Sequence, residues 1–210
     1  MALDELLDEH EQGERVRNWL RQNSFGLIGG LALGLALIWG ARWWMQQQHE
    51  KRVALGESYS SLVASLDAGN TAGAIEQAGV LAGTAYAPLA ALDLAKAQVE
   101  AGQRDEAIAT LRAADSDEPA LAAVIERRLA RLLIDAGKGD EALALLASAD
   151  DAAALETRGD ARYVAGDVEQ ARKEYEQALR KLDPGAPQRR LLELKLTQAG
   201  GAPETTGTES

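Results

Sequence analysis

The segment from Gly159 to Pro184 has the sequence GDARYVAGDVEQARKEYEQALRKLDP. Gly166 divides it into two helix-forming runs, because glycine readily takes the left-handed conformation that follows a helix end, and the residue after it can cap the next helix. Gly159 and Ala171 are small enough for the two helices to approach closely. Pro184 ends the second helix, since proline cannot continue one. The segment therefore predicts a helical hairpin.

The turn of this hairpin recurs along the chain. A glycine five residues before an alanine occurs at Gly69–Ala74, Gly102–Ala107, Gly137–Ala142 and Gly166–Ala171. The glycines follow one another at intervals of 33, 35 and 29 residues, near the period of about 34 residues that is typical of tetratricopeptide repeats. Helix formers dominate after residue 50 and no alternation typical of strands is present. The sequence predicts an all-α fold of stacked hairpins that form a solenoid, and the alternative is an unrelated bundle of helical hairpins.

A second feature lies near the N-terminus, where residues 22–41 contain no charged side chain. A helix of this length spans the hydrocarbon core of a bilayer, which is about 30 Å thick. Trp39, Trp43 and Trp44 lie beside Arg42, as in the aromatic belt of a membrane helix. The sequence predicts a transmembrane helix over 25–45. The alternatives are a cleaved signal peptide, which the acidic first 24 residues disfavour, and a buried helix of a soluble domain.

Two properties of the predicted span concern its surroundings. Lys and Arg are equally frequent on both flanks, so the positive-inside rule leaves the orientation open, with a slight preference for a cytoplasmic N-terminus because the N-terminal flank is the shorter one. Gly26, Gly30 and Gly34 share one side of the helix and predict a packing face for another membrane helix. The alternative is that glycine is simply common in membrane helices.

The predicted domain organisation follows from these two features. It comprises an acidic N-terminal segment (1–24), the transmembrane helix (25–45), a linker helix with a degenerate first repeat (46–85), the tetratricopeptide-like repeat domain (86–198) and a disordered tail (199–210). Helices after the span are expected at 50–68, 72–82, 87–101, 104–114, 118–136, 139–148, 151–165, 168–182 and 187–198. We expect the first of these helices to continue directly from the membrane span.

The amino-acid composition argues against catalysis, metal binding and nucleic-acid binding. The chain has no cysteine, two histidines and a formal net charge of -11. His10 and His49 lie on opposite sides of the predicted span, so a histidine metal site within one chain is excluded, and the acidic surface disfavours nucleic acid as a partner. The pairs Asp105-Glu106 and Asp140-Glu141 begin helices, where carboxylates favour the helix dipole. We therefore predict neither an enzyme nor a metal site, a cofactor or a small-molecule substrate; an enzyme with an unfamiliar site is the alternative.

Protein binding is the remaining prediction. In a solenoid of this kind, the first helix of each hairpin faces the concave side. By repeat register, the candidates for a concave protein-binding face are Lys96, Val99, Arg127, Arg131, Ile134, Asp160 and Tyr163. The alternative is that these are ordinary solvated or packing positions.

The chain resembles the YfgM family, the ancillary subunits of the SecYEG translocon. The likeness rests on the acidic N-terminal segment, on the glycine-rich span that ends in Arg42-Trp43-Trp44, and on the runs Tyr86–Ala95, Ala123–Arg131 and Arg158–Ala161. This resemblance implies a single-pass protein of the bacterial inner membrane, with a cytoplasmic N-terminus and a periplasmic repeat domain. It also implies association with the SecYEG translocon and with a PpiD-like periplasmic chaperone.

On this basis we expect a membrane-anchored adaptor that helps to hand translocated client proteins to periplasmic chaperones. The alternative is a repeat scaffold for another envelope assembly, such as a cell-wall or division complex.

Overall fold

The computed structural model of the chain describes residues 2–202. Within this range it contains nine α-helices: α1 (Ala2–Asp67), α2 (Thr71–Val80), α3 (Ala87–Glu100), α4 (Arg104–Ala113), α5 (Pro119–Asp135), α6 (Gly139–Leu145), α7 (Ala152–Val164), α8 (Val168–Lys181) and α9 (Arg189–Gln198). No strand is found in the described part of the chain. The all-α prediction is therefore confirmed.

The described residues form two compact units, of which the first ends at Ala54 and the second begins at Leu55. The first unit is the N-terminal part of α1. An 18-residue window within Ile28–Asp67 has a mean hydropathy of 1.3 and no buried residue. By length and composition, α1 is the one helix of residues 2–202 that is suited to cross a membrane. The predicted N-terminal apolar helix is thus present.

The second unit consists of helical hairpins. Contacts join α3 to α4, α5 to α6 and α7 to α8, and α9 packs against α8. A first core cluster lies where the end of α1 meets α2 and the start of α3, a second joins α3 to α6, and a third joins α7 to α9. The first cluster is the smallest of the three.

Small residues hold the predicted positions in these hairpins. Ala74, Ala107, Ala142 and Ala171 are at most 1% exposed, so each lies in the contact between the two helices of a pair. The four turn glycines adopt φ angles between 72° and 83°, the left-handed region that side chains disfavour. The glycine and alanine pattern therefore marks real turns and real helix contacts.

The predicted helix caps are only half confirmed. Asn70 accepts a hydrogen bond from the backbone of Gly73 at 3.0 Å, and Asp167 accepts one from that of Gln170 at 3.3 Å. At the other two turns the cap positions are occupied by Gln103 and Lys138, whose side chains accept no such bond. The aspartates of these two turns lie in the first helical turn instead, where they still favour the helix dipole.

The helix expected at 50–68 is the end of α1, which is continuous from Ala2, so it continues from the predicted span as expected. The other helix ends agree with the predictions within two residues, except that α6 ends at Leu145 instead of 148. Ala199, expected in the tail, is 2% exposed and lies in the third core cluster. The reason is a turn in which Gly200 has a φ of 77° and the Gly201 amide donates to the Leu196 carbonyl at 2.9 Å. The rest of the tail, 203–210, lies outside the described residues, and the other domain boundaries stay predictions.

Candidate protein-binding surface

Three of the predicted binding residues line one groove. Lys96 and Val99 on α3 and Arg131 on α5 border a depression of about 370 Å³ between the first helices of two successive hairpins. We call it the basic groove. Its lining consists of Leu92, Ala95, Lys96, Val99, Glu100, Leu111, Arg128, Arg131 and Leu132.

The pattern of α5 explains why arginines line this groove. Ile125, Leu129 and Leu133 recur every four residues and are at most 6% exposed, so they form the face that packs into the core. Arg128 and Arg131 are three residues apart and therefore share another face of the same helix. Both are exposed. Sequence reasoning missed Arg128, although its spacing from Arg131 was a usable signal.

The basic groove has an excess of positive charge on an acidic chain. Neither Arg128 nor Arg131 has an ion-pair partner within residues 15–202. Lys96 pairs with Glu100 at 3.9 Å, but both side chains are about two-thirds exposed, so this pair contributes little. Val99 is 43% exposed and offers an apolar contact beside the cations. The groove is suited to a protein segment that carries carboxylates next to an apolar side chain.

Two other predicted residues on α5 lie outside the basic groove. Arg127 forms an ion pair with Asp151 at 3.7 Å. Asp151 caps α7, because its side chain accepts hydrogen bonds from the amides of Ala153 and Ala154. Ile134 is 9% exposed and belongs to the second core cluster. Its assignment to a binding face was wrong, because it follows the fully buried Ala130 by one helical turn and so shares its inward face.

The two predicted residues on α7 also have structural surroundings. Asp160 accepts a hydrogen bond from the Tyr175 hydroxyl at 2.8 Å and one from Lys195 Nζ at 2.7 Å. Tyr163 is partly buried against the third core cluster. Burial raises the pKa of Tyr175, and the neighbouring Asp160 carboxylate raises it further. Neither Asp160 nor Tyr163 lies in the basic groove, and a binding role for them stays a prediction.

The run Arg158–Ala161, which carries part of the sequence resemblance, is explained by packing. Arg158 donates to Glu174 on α8 at 2.8 Å and to the carbonyls of Leu146 and Ala149, so it ties the end of α6 to α8. Gly159 leaves room for the ring of Tyr175, since a Cβ there would lie 2.4 Å from a ring carbon. The motif is therefore a structural junction between hairpins.

The glycines of α1 have free space around them. A Cβ added at Gly26, Gly30 or Gly34 would meet no atom within 4 Å. Large apolar side chains nearby, such as Phe25 and Leu31, are 93% and 67% exposed. This part of α1 is therefore available for lipid or for another helix, and the predicted packing face stays a prediction.

The described side chains offer no metal centre, since no group of three or more His, Asp or Glu residues among them is arranged to hold an ion. The polar clusters found instead are ion pairs between helices. Lys195 bridges Glu156 and Asp160, and Arg158 pairs with Glu174. Their carboxylates face cations of the same protein, so the arrangement supports packing.

Comparison with known proteins agrees with this architecture. The chain is similar to the ancillary SecYEG translocon subunit of Escherichia coli (strain K12), with 29% identity over 126 residues. The match covers 58% of this chain and 61% of that relative, so it spans less than two thirds of the relative's length. It confirms the resemblance stated from the sequence. A family model described as a tetratricopeptide repeat-like domain matches residues 17–201. The chain therefore belongs to the family of tetratricopeptide repeat-like domains.

Proposed function

We propose that this protein is a single-pass inner-membrane adaptor that associates with a SecYEG-type translocon and has no catalytic function. Its N-terminus lies in the cytoplasm and its repeat domain in the periplasm. There the repeats help to pass translocated client proteins to periplasmic chaperones, including one of the PpiD type. The observation that supports this proposal is the presence of an exposed apolar helix and an open basic groove on one chain.

The membrane part of the proposal is supported by α1. Its large apolar side chains between Ile28 and Met45 are exposed. Burying them in lipid is favourable by about 25 cal/mol per Å² of apolar surface. Trp43 and Trp44 are 62% and 64% exposed, as expected of side chains at a membrane interface. The relative's name supports the choice of the translocon as the partner in that membrane.

The client-handling part is supported by the basic groove. Segments that have just crossed a membrane are unfolded, so they expose apolar side chains together with charges. A groove with Val99 beside Arg128 and Arg131 can hold such a segment without enclosing it. Rim charges of this kind act mainly on the association rate and on selectivity, which suits a transient adaptor.

The orientation can be tested directly because the chain has no cysteine. Single cysteines at Asn18 and at Ala68 would lie on the two sides of the predicted span. In intact spheroplasts, a membrane-impermeant maleimide is expected to label the Ala68→Cys variant alone. Labelling of the Asn18→Cys variant alone would reverse the topology and refute the periplasmic assignment.

The partners can be tested with photo-crosslinkers. A crosslinker at Gly30 is expected to capture translocon subunits, and one at Val99 is expected to capture chaperones or translocating chains. Ala32, on the other side of α1, is the matched control for Gly30. Recovery of cell-wall or division enzymes without translocon subunits would favour the envelope scaffold instead.

The basic groove needs its own variant. Arg128→Glu with Arg131→Glu is expected to abolish the Val99 crosslinks and to leave those at Gly30 unchanged. Arg180→Glu with Arg190→Glu is the control, because both arginines are exposed and lie outside the groove. Equal loss with both double variants would show a general effect of charge and would contradict a specific role of the groove.

A further inference from the structure

A second groove in the repeat unit has the opposite charge. It lies where the α2–α3 connection and the start of α3 meet the end of α4 and the α4–α5 connection, and its volume is about 680 Å³. We call it the acidic groove. It shares no lining residue with the basic groove. Its lining comprises Ala78, residues 82–85, Ala87, Pro88, Ala91, Leu94, Thr110, residues 113–118 and Leu121.

The floor of the acidic groove is apolar and made of small side chains. Alanines dominate it, and Pro88 and Leu94, which also line the groove, are buried. Because the floor side chains are small, the groove has room for a polypeptide with small apolar side chains of its own, and contact with such a floor removes apolar surface from water. A cavity of this volume is in the range of about 300–1,000 Å³ that binds drug-sized ligands. It therefore fits a short segment of polypeptide.

The rim of the groove carries three exposed carboxylates, those of Asp115, Asp117 and Glu118. No Lys or Arg lines the groove, and none of the three carboxylates forms an ion pair within residues 15–202. Hydrogen bonds within the loop fix its course: the Ser116 amide donates to Asp115 at 2.8 Å, and the Glu118 amide donates to the Ser116 hydroxyl at 3.2 Å.

Helix stability does not account for all three charges. Glu118 precedes α5 and is favoured there by the helix dipole. Asp115, however, follows the C-terminal end of α4, where a carboxylate faces the negative end of that helix dipole. The Asp115 carboxylate therefore does not stabilise α4; it accepts the hydrogen bond of the Ser116 amide and stays exposed at the rim of the groove.

From the negative charge of the rim and the apolar floor, we propose that the acidic groove binds a short polypeptide segment of complementary, positive charge, in which small apolar side chains alternate with Lys or Arg. The apolar side chains contact the alanine floor and the cations meet Asp115, Asp117 and Glu118. This inference is independent of the proposed translocon function, since it concerns other residues and a ligand of opposite charge.

The test uses the full chain in nanodiscs of zwitterionic lipid and fluorescence anisotropy with a short labelled peptide of alternating alanine and lysine. We expect saturable binding that weakens with added salt, and no binding of the matched peptide of alternating alanine and glutamate. Equal binding of both peptides would overturn the proposal.

Variants locate the site. Asp115→Asn, Asp117→Asn and Glu118→Gln together are expected to weaken binding about tenfold. The control neutralises three exposed carboxylates elsewhere, Glu57→Gln, Asp67→Asn and Glu76→Gln, and is expected to change binding less than about twofold. Equal weakening by both triple variants would show that peptide binding depends only on the net charge of the protein, and would refute the site.

The floor is tested separately with Ala113→Trp, which fills the groove from an exposed position without changing its charge. A loss of binding comparable to that of the rim variant is expected, and unchanged binding would refute the use of the floor. Sedimentation tests whether the groove holds a second copy of this chain instead. If the wild type is an oligomer, and the rim variant is a monomer that still binds the peptide, the groove holds a second copy and the proposal fails.

Discussion

Tyr59 on α1 donates its hydroxyl hydrogen to Oδ2 of Asp93 on α3 at a distance of 2.6 Å. The ring of Tyr59 also stacks on Tyr86, with 5.4 Å between the ring centroids. Gly56 lies beside this pair, where a Cβ would be 3.6 Å from the Tyr86 hydroxyl. The last turns of α1 are therefore an integral part of the repeat unit that begins at Leu55.

Replacing Tyr59 with Phe should lower the stability of this junction. The variant keeps the stacked ring but removes the hydrogen bond, for which a loss of about 1 kcal/mol in the free energy of unfolding is expected. Thermal unfolding followed by circular dichroism in detergent measures it. Tyr163→Phe is the control, since the Tyr163 hydroxyl makes no hydrogen bond within the described residues. An equal loss in both variants would contradict a specific role of the Tyr59 bond.

The same contact predicts a dependence on pH. The hydrogen bond to Asp93, together with burial and the carboxylate charge, raises the pKa of Tyr59 from 10.0 to about 12. Between these values the folded state holds a proton that the unfolded state has lost, so stability falls as the pH rises. The contribution of Tyr59 is complete below pH 10 and disappears by about pH 12.

The measurement is the stability difference between the wild type and Tyr59→Phe across this window. The difference should shrink as the pH rises, because the variant lacks the titrating group. Tyr175, whose pKa is also raised, is present in both proteins and does not affect the comparison. A difference that stays constant from pH 9 to about 12 would show that the bond does not set the titration of Tyr59.

Gly159→Ala tests the junction between α7 and α8. The new Cβ would lie 2.4 Å from a ring carbon of Tyr175, and that ring is 2% exposed, so it has little freedom to move. We expect a loss of about 1–3 kcal/mol in the free energy of unfolding. Gly79→Ala, in a helix with no atom within 4 Å, should instead stabilise by up to about 1 kcal/mol. Chemical denaturation measures whether the free energy of unfolding falls, as expected for Gly159→Ala, or rises, as expected for Gly79→Ala.

Lys195→Met tests the bridge from α9 to α7. Lys195 Nζ lies 2.6 Å from Glu156 and 2.7 Å from Asp160, and all three side chains are at most 25% exposed. The variant leaves two carboxylates one helical turn apart without a cation, at an expected loss of about 2 kcal/mol in the free energy of unfolding.

The control for this bridge is Lys181→Met. Lys181 pairs with Asp150 at a similar distance of 2.7 Å, but the Asp150 side chain is 79% exposed. Solvent screens this pair, so its removal should have a much smaller effect. Similar losses in the two variants would show that burial does not strengthen the Lys195 bridge.

Local features of the fold were predictable from the sequence, whereas side-chain partners were not. The turn at Gly137 and the contact at Ala142 follow from residue size and backbone freedom, which act within one hairpin. The bridge from Lys195 to Asp160 joins residues that are 35 positions apart, and no local pattern specifies such a pair.

The candidate site was predictable to the same extent. Repeat register brought Lys96, Val99 and Arg131 to one groove, because corresponding helices of successive hairpins lie side by side. The repeat register was wrong for Ile134. Successive residues of a helix are rotated by about 100°, so an error of one residue in the register assigns a buried position to the surface. The acidic groove was missed because two loops and parts of four helices form it.

The aromatic residues of the chain are divided between its two units. All four tryptophans, at positions 19, 39, 43 and 44, lie in the unit that ends at Ala54, and all four tyrosines, at 59, 86, 163 and 175, lie in the unit that begins at Leu55. The molecule thus carries two separate intrinsic fluorophores. Selectively excited tryptophan emission monitors the environment of the apolar helix, whereas ultraviolet difference spectra of tyrosine monitor the repeats. Lipid insertion and repeat unfolding can therefore be followed independently in one unlabelled sample.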